Sequence, residues 1–224
     1  MNNELEELLN ASLDDDYEEK SLPYRQLMTY YRCALREVET KFRVLDEQFS
    51  MYYDRNPIES IETRIKSQSS VLKKLKKRGL PLTLQSMEDN LFDIAGIRII
   101  GSFQDDIYML SELLIQQDDV HLIEKKDYIA NPKANGYRSL HLIIEIPIFL
   151  ANEKRWIKVE VQFRTIAMDL WASLEHKLRY KKDLSQERLD EIAEDLLEAA
   201  ELCSQLDHKM TKLKLSEKRH PVLK

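Results

Sequence analysis

The chain has 224 residues, 43% hydrophobic and 33% charged, with a formal net charge of −6, which fits one soluble globular domain with short appendages. Only four glycines and six prolines occur, ten of 224 positions against an average usage of ~12%. Gly79, Gly96, Gly101 and Gly136 form no cluster, which excludes the Walker A loop and the G-x-G-x-x-G turn. If the protein handles nucleotides, side chains must hold the phosphates.

The modest net charge hides an asymmetry. Residues 1–20 carry eight acids and one lysine, whereas Ile61 to Pro81 holds seven Lys or Arg against Glu62 alone. A local anion site is plausible there. No window approaches ~18 uncharged apolar residues, and the acidic start is unlike a secretory signal, so a cytoplasmic protein with no membrane span is expected. Cys33 and Cys203 lie far apart with no C-x-x-C spacing, which points to small core residues rather than a disulfide or zinc site.

Residues 1–21 read as an acidic, disordered lead with a short amphipathic piece around Leu5, Leu8 and Leu9. From Tyr24 to about Tyr53, Leu27, Tyr31, Ala34, Leu35, Val38, Phe42, Leu45 and Phe49 recur at helical spacing, and Asn56-Pro57 ends that helix. Ile58 to Arg78 reads as a second helix, stopped by Gly79 and Pro81. A strand follows at Ile97 to Phe103, then a helix at Asp105 to Gln116 and a strand at His121 to Ile129. Asn131 to Gly136 is a loop by its turn chemistry. Leu140 to Ile146 and Trp156 to Thr165 suit an antiparallel hairpin, and two helices close the chain, Ile166 to about Lys181 and Ser185 to about Leu213. This order predicts one α/β (α+β) domain with a mixed sheet of four to five strands flanked by helices.

Three groups of residues carry chemistry. On the expected second helix, Lys66, Ser70, Lys73, Lys74 and Lys77 fall on one side and Ile61, Ile65, Leu72 and Leu75 on the other. Such a file of lysines with a hydroxyl could grip a polyphosphate. A solvated lysine face is the plain alternative, and the lack of any acid between Glu62 and Glu88 weighs against it. Next, Ile157, Val159, Val161 and Phe163 alternate with Lys158, Glu160, Gln162 and Arg164 along the last strand. The neighbouring strand is apolar on nearly both sides, as in a covered sheet, so a line of Glu, Gln and Arg there suggests a catalytic cleft more than an exposed face. Third, D-I-A-G-I-R at Asp93 to Arg98 offers a carboxylate at a strand mouth, a typical place for a Mg²⁺ ligand. N-G-Y-R-S-L-H at Asn135 to His141 offers a tyrosine able to stack on a base, with Arg138 and His141 near phosphates. Alone, each of these two could equally be a turn.

Taken together, D-I-A-G-I-R, K-D-Y-I-A-N-P-K-A-N-G-Y-R-S-L-H, and E-V-Q-F-R-T with M-D-L-W-A-S-L-E-H resemble the synthetase domain of the RelA/SpoT family. The short length, N-P-I-E-S-I-E-T-R-I-K-S and R-S-L-H-L-I-I-E-I-P are similar to the RelP-like branch of small alarmone synthetases. The resemblance implies a nucleotidyltransferase-like fold, a homotetramer, and pyrophosphate transfer from ATP to the 3′-hydroxyl of GTP or GDP. It implies that Arg64 and Arg98 sandwich adenine, and that Lys66, Ser70, Lys74 and Lys77 contact the ATP phosphates. Asp93 and Glu160 would share Mg²⁺, with Glu160 activating the attacking oxygen. Tyr137 would stack on guanine, with Lys126, Lys133, Arg138 and His141 near the acceptor phosphates, and Gln162 and Arg164 would complete the cleft. Glu124 departs from the basic residue of the long bifunctional relatives.

On this basis residues 22–182 form the synthetase domain, and 183–224 form a C-terminal helix and tail making an oligomer contact. No His-Asp dipeptide occurs, so synthesis without hydrolysis is expected. Two rivals remain open, an RNA-binding module built on the basic segment and Tyr137, and a nucleotidyltransferase that releases pyrophosphate instead of AMP.

Overall fold

The computed structural model describes Leu5 and residues 17–179 and 186–217. In chain order these form α1 (Tyr17–Tyr52), β1 (Ile58–Ile65), α2 (Gln68–Lys77), α3 (Leu84–Asn90), β2 (Ala95–Gly101), α4 (Gln104–Ile115), β3 (His121–Asp127), β4 (Leu140–Phe149), β5 (Lys154–Thr165), α5 (Ile166–Arg179) and α6 (Gln186–Glu217). The five strands make one sheet in the order β1-β2-β5-β4-β3. Only β2 and β5 run parallel; every other pair is antiparallel, so the sheet is mixed as expected.

The core forms where two periodicities meet. Helix α1 buries Leu27, Tyr31, Ala34, Leu35, Val38, Phe42 and Phe49 at helical spacing, and the Phe42 ring meets Phe163 of β5 edge-on at 5.7 Å. Val159, Val161 and Phe163 are wholly buried, and β4 is buried on both faces through Ile144. Leaving Phe163 on the α1 side forces Glu160, Gln162 and Arg164 onto the opposite face, where α5 follows directly from β5.

Ile58–Ile65 departs from the expected helix. These residues form edge strand β1, antiparallel to β2. Apolar residues at 58, 61 and 65 mimic a helical repeat, but Ile58, Ile61, Thr63 and Ile65 are β-branched and suit an extended edge once β2 is there to pair with. The helix starts only after Ser67, whose hydroxyl accepts from the Ser70 backbone N–H. Lys66 therefore stands in the link between β1 and α2, and the helical file shrinks to Ser70, Lys73, Lys74 and Lys77. The short α3, capped by the Thr83 hydroxyl, was not anticipated from the sequence.

Helix α1 also starts earlier than expected, at Tyr17 instead of Tyr24. Leu5, placed by sequence in a disordered lead, is buried, and its N–H donates to the Leu82 carbonyl at 3.0 Å. Leu8, Leu9 and the tail beyond 217 lie outside the described residues. Both cysteines are free and half-buried, and no helix of the described residues is long and apolar enough to cross a membrane.

Candidate active site

Strand register lines up side chains across the sheet, because directly paired residues share a face. One row runs Arg64, Gly96, Glu160 and Ile143; the next runs Glu62, Arg98, Gln162, His141 and Lys126. Gly96 leaves a gap in the first row between an arginine and a carboxylate. A cavity of about 230 Å³ opens there, lined by Arg64, Gly96, Arg98, Glu160 and Gln162. A second, of about 490 Å³, shares Arg64, Arg98 and Gln162 and continues to Tyr137, Arg164 and the α5 residues Ser173 and His176. The two meet on the polar face of β5.

Beside the first cavity, Asp93 gathers two of the expected phosphate-binding lysines. Its Oδ2 accepts from Lys66 Nζ at 2.5 Å and from Lys74 Nζ at 2.6 Å. The acid missing from α2 thus comes from the segment before β2. Burial pushes the Asp93 carboxyl up, but the hydrogen bonds and charges of the two lysines outweigh it and hold it below the usual carboxylate range. Its other oxygen, Oδ1, is buried with no hydrogen-bond partner. Arg64, Lys73 and Lys77 are exposed, and the Ser70 hydroxyl lies 2.9 Å from that of Ser67.

The other side of the cleft is a connected network. Arg164 donates to Asp169 Oδ1 at 2.9 Å, to the Tyr137 hydroxyl at 2.9 Å and to Gln162 Oε1 at 3.3 Å. The Tyr137 hydroxyl is 2.9 Å from His141 Nε2, and His141 Nδ1 is 3.4 Å from Glu160 Oε1. Gln162 donates to Glu160 Oε2 at 2.8 Å. The direction of the chain follows from donor inventories. A carboxylate only accepts, so His141 Nδ1 carries a proton and donates to Glu160. On the far side of the imidazole, the Tyr137 oxygen accepts from Arg164, a group that only donates. Burial raises the Glu160 carboxyl, but the His141 hydrogen bond and charge, helped by Gln162 and opposed by nearby Asp93, leave it lowered. Glu160 is therefore an ionised carboxylate, oriented on both oxygens and mostly shielded from water.

Most of the predicted site residues converge here. Arg64, Arg98, Glu160, Gln162, Tyr137 and Arg164 line the two cavities, and Lys66, Lys74 and Asp93 form one cluster. The Lys133 ammonium lies 4.7 Å from the centre of the Tyr137 ring. Lys126 stands at the end of the second row, paired with Glu124 at 2.7 Å. His141, expected near phosphates, is instead locked between Tyr137 and Glu160. Arg138 turns away from the cleft, donating to the Ile129 carbonyl at 3.2 Å and lying 3.6 Å from Glu201 of α6. Sequence reasoning missed Asp127, which accepts from the N–H groups of Ile129 and Ala130 and from Tyr108, whose phenol is pushed up to about 12 by burial and by that carboxylate. The K-D-Y turn it fixes was a legible signal.

The profile described as a region found in RelA/SpoT proteins matches residues 63–185, which include the Asp93 cluster and, apart from Glu62, the lining of both cavities. The chain belongs to the RelA/SpoT family. It is 42% identical over 206 residues to the GTP pyrophosphokinase YwaC of Bacillus subtilis, covering 92% of this chain and 97% of the relative. The GTP pyrophosphokinase YjbM of the same organism is 34% identical over 202 residues, 90% of each chain. Among solved structures, small alarmone synthetase 1 of Bacillus subtilis bound to its product pppGpp superposes with a TM-score of 0.78 at 32% identity, covering 87% of this chain and 97% of that one. The expected fold and family are both borne out.

Proposed function

We propose that the cleft transfers pyrophosphate from ATP to the 3′-hydroxyl of GTP or GDP, giving pppGpp or ppGpp and AMP. The observation that carries this reading is the placement of Glu160, an ionised, doubly oriented carboxylate that lines the smaller cavity and is bonded to Gln162, which both cavities share, with a cluster of cations on one side and an aromatic network on the other. Similarity to GTP pyrophosphokinases over nearly the whole chain supports it.

In the proposed step the acceptor 3′-hydroxyl gives its proton to Glu160 as its oxygen attacks the β-phosphorus of ATP. The bond from that phosphorus to the α,β-bridging oxygen breaks, and AMP leaves with the electron pair. Arg64 and Arg98 offer two guanidinium planes for the adenine, and Lys66, Ser70, Lys74 and Lys77 meet the polyphosphate. On the acceptor side Tyr137 stacks on guanine as the exposed Lys133 moves off its ring, and Lys126 and Arg164 face the acceptor. Most of the acceleration comes from holding both nucleotides in line.

Asp93 and Glu160 fit a Mg²⁺ ion, since the free Oδ1 of Asp93 and a neighbouring ionised carboxylate supply the hard oxygen ligands that ion takes together with substrate phosphates. Bound there, Mg²⁺ would neutralise charge developing on the transferred group. The protein is proposed to act in the cytoplasm as a homotetramer. Supporting assembly, Leu170, Leu174, Leu202, Leu206 and Leu213 leave an apolar surface exposed along α5 and α6.

Incubation with ATP, GTP or GDP and Mg²⁺ tests the reading. The expected products are AMP and a guanine nucleotide carrying two more phosphates. Release of pyrophosphate without AMP would overturn it.

A further inference from the structure

Asp169 lies in the first turn of α5, immediately beyond the catalytic strand, where a carboxylate is favoured by the partial positive charge of a helix start. Its side chain is mostly buried, and one oxygen serves two arginines: Oδ1 is 2.9 Å from Arg164 Nη1 and 3.3 Å from Arg98 Nη1. These arginines belong to different strands and different tasks. Arg98, on β2, lines both cavities. Arg164, on β5, lines only the larger one and holds the Tyr137 hydroxyl and Gln162. The remaining ion-pair partner of Arg98 is Glu62, an exposed side chain on the edge strand. Arg164 has no other carboxylate partner among the described residues. Asp169 is thus the one anion common to both guanidinium groups, and each of them keeps a buried Nε–H without a partner.

We propose that Asp169 is a positioning residue that sets Arg98 for ATP and Arg164, with Tyr137, for the guanine nucleotide, so that a single carboxylate governs both half-sites. This rests on the assignment of the half-sites given above. A carboxylate that merely capped α5 would affect folding and leave nucleotide binding alone; one that aims two guanidinium groups must affect both substrates. The shared oxygen makes the effect on each nucleotide traceable to one arginine.

Asp169→Asn in the full-length chain is the test, because the amide keeps the shape and an acceptor oxygen but loses the charge. With ATP and GTP varied in turn, KM for each is expected to rise about tenfold, the consequence of weakening a charge-assisted hydrogen bond at each arginine. In an Arg98→Ala background the same substitution should raise KM for GTP only. Asp169→Glu, which keeps the charge and displaces it by one methylene, should recover part of both losses, and it carries the KM comparison alone if the Asn variant does not fold. An effect confined to one nucleotide, an ATP effect that persists without Arg98, or a lower melting temperature with unchanged KM values would overturn the proposal. A wild-type protein that makes no AMP would sink the functional reading and this with it; an active wild type with unaltered variant KM values would sink this inference alone.

Discussion

The two sides of the cleft are built on opposite plans. On the β1–β2–α2 side, Arg64, Lys73 and Lys77 stand exposed, Lys66 and Lys74 are tied to one carboxylate, and Arg98 is paired with Glu62 and Asp169. On the β4–β5–α5 side nearly every polar group is committed, from Asp169 through Arg164, Tyr137 and His141 to Glu160 and Gln162. The proposed reaction gives a physical reason for the difference. A triphosphate is flexible and highly charged, so movable point charges serve it well and need little orientation. An attacking hydroxyl has to be aimed to within fractions of an ångström at a single phosphorus, which suits a carboxylate fixed before substrate arrives.

Each plan can be broken separately. The largest effect is expected from Glu160→Gln, which keeps the shape of the committed side but removes the proposed base; AMP formation should fall by at least about a hundredfold, the typical contribution of a positioned general base. Retention of wild-type turnover would remove Glu160 from that role. Lys74→Ala strikes the open side and should raise KM for ATP about tenfold while KM for GTP stays put, as expected for loss of one charge-assisted phosphate contact. Equal effects on both nucleotides would erase the distinction between the two sides. Tyr137→Phe keeps the aromatic face and deletes the hydroxyl that joins Arg164 to His141, so kcat should drop a few-fold, by roughly the worth of one hydrogen bond, with KM for GTP little changed. A KM effect alone would instead place the hydroxyl on the substrate.

The smallest effect concerns stability. Because the folded Asp93 carboxyl titrates below its ordinary range, its pairing with the lysines stabilises the protein above that range, and the contribution is lost as pH falls through the lowered folded value. Thermal melting of wild type should therefore fall more steeply on acidification than melting of Lys74→Ala, in which part of that pairing is absent. Parallel curves would show that the pairing adds nothing to folding.

How far the sequence could be read depended on the range of the forces involved. The polar face of β5 was legible because a period of two over nine residues leaves no other arrangement, and seven of the nine buried apolar positions of α1 were legible from a period of 3.6. β1 was misread because its apolar spacing satisfies a helix, and only the pairing of Arg64 with Gly96 and Glu62 with Arg98 settles the matter. Lys66 was expected on a helix and stands in the link before α2, whereas Lys74 is helical as expected; the Ser67 cap was the local sign of where that helix begins. The roles of Asp169 and His141 were beyond local reading, since Arg98 and Asp169, or Tyr137, His141 and Glu160, meet only after the sheet has formed. The family motifs contained all of these residues without indicating which of them touch.

Gly136 gives the loop before Tyr137 a further meaning. Its φ of +84° suits glycine, and a Cβ there would stand 2.5 Å from the Ala200 Cβ and 3.3 Å from a Leu197 methyl of α6. Leu197 is at the same time half exposed to solvent. The loop before Tyr137 and the outer apolar surface are thus separated by the thickness of one side chain. Whatever presses on α6 from outside presses on the floor beneath Tyr137, and any residue larger than glycine at position 136 would act as a wedge driven between this loop and that helix.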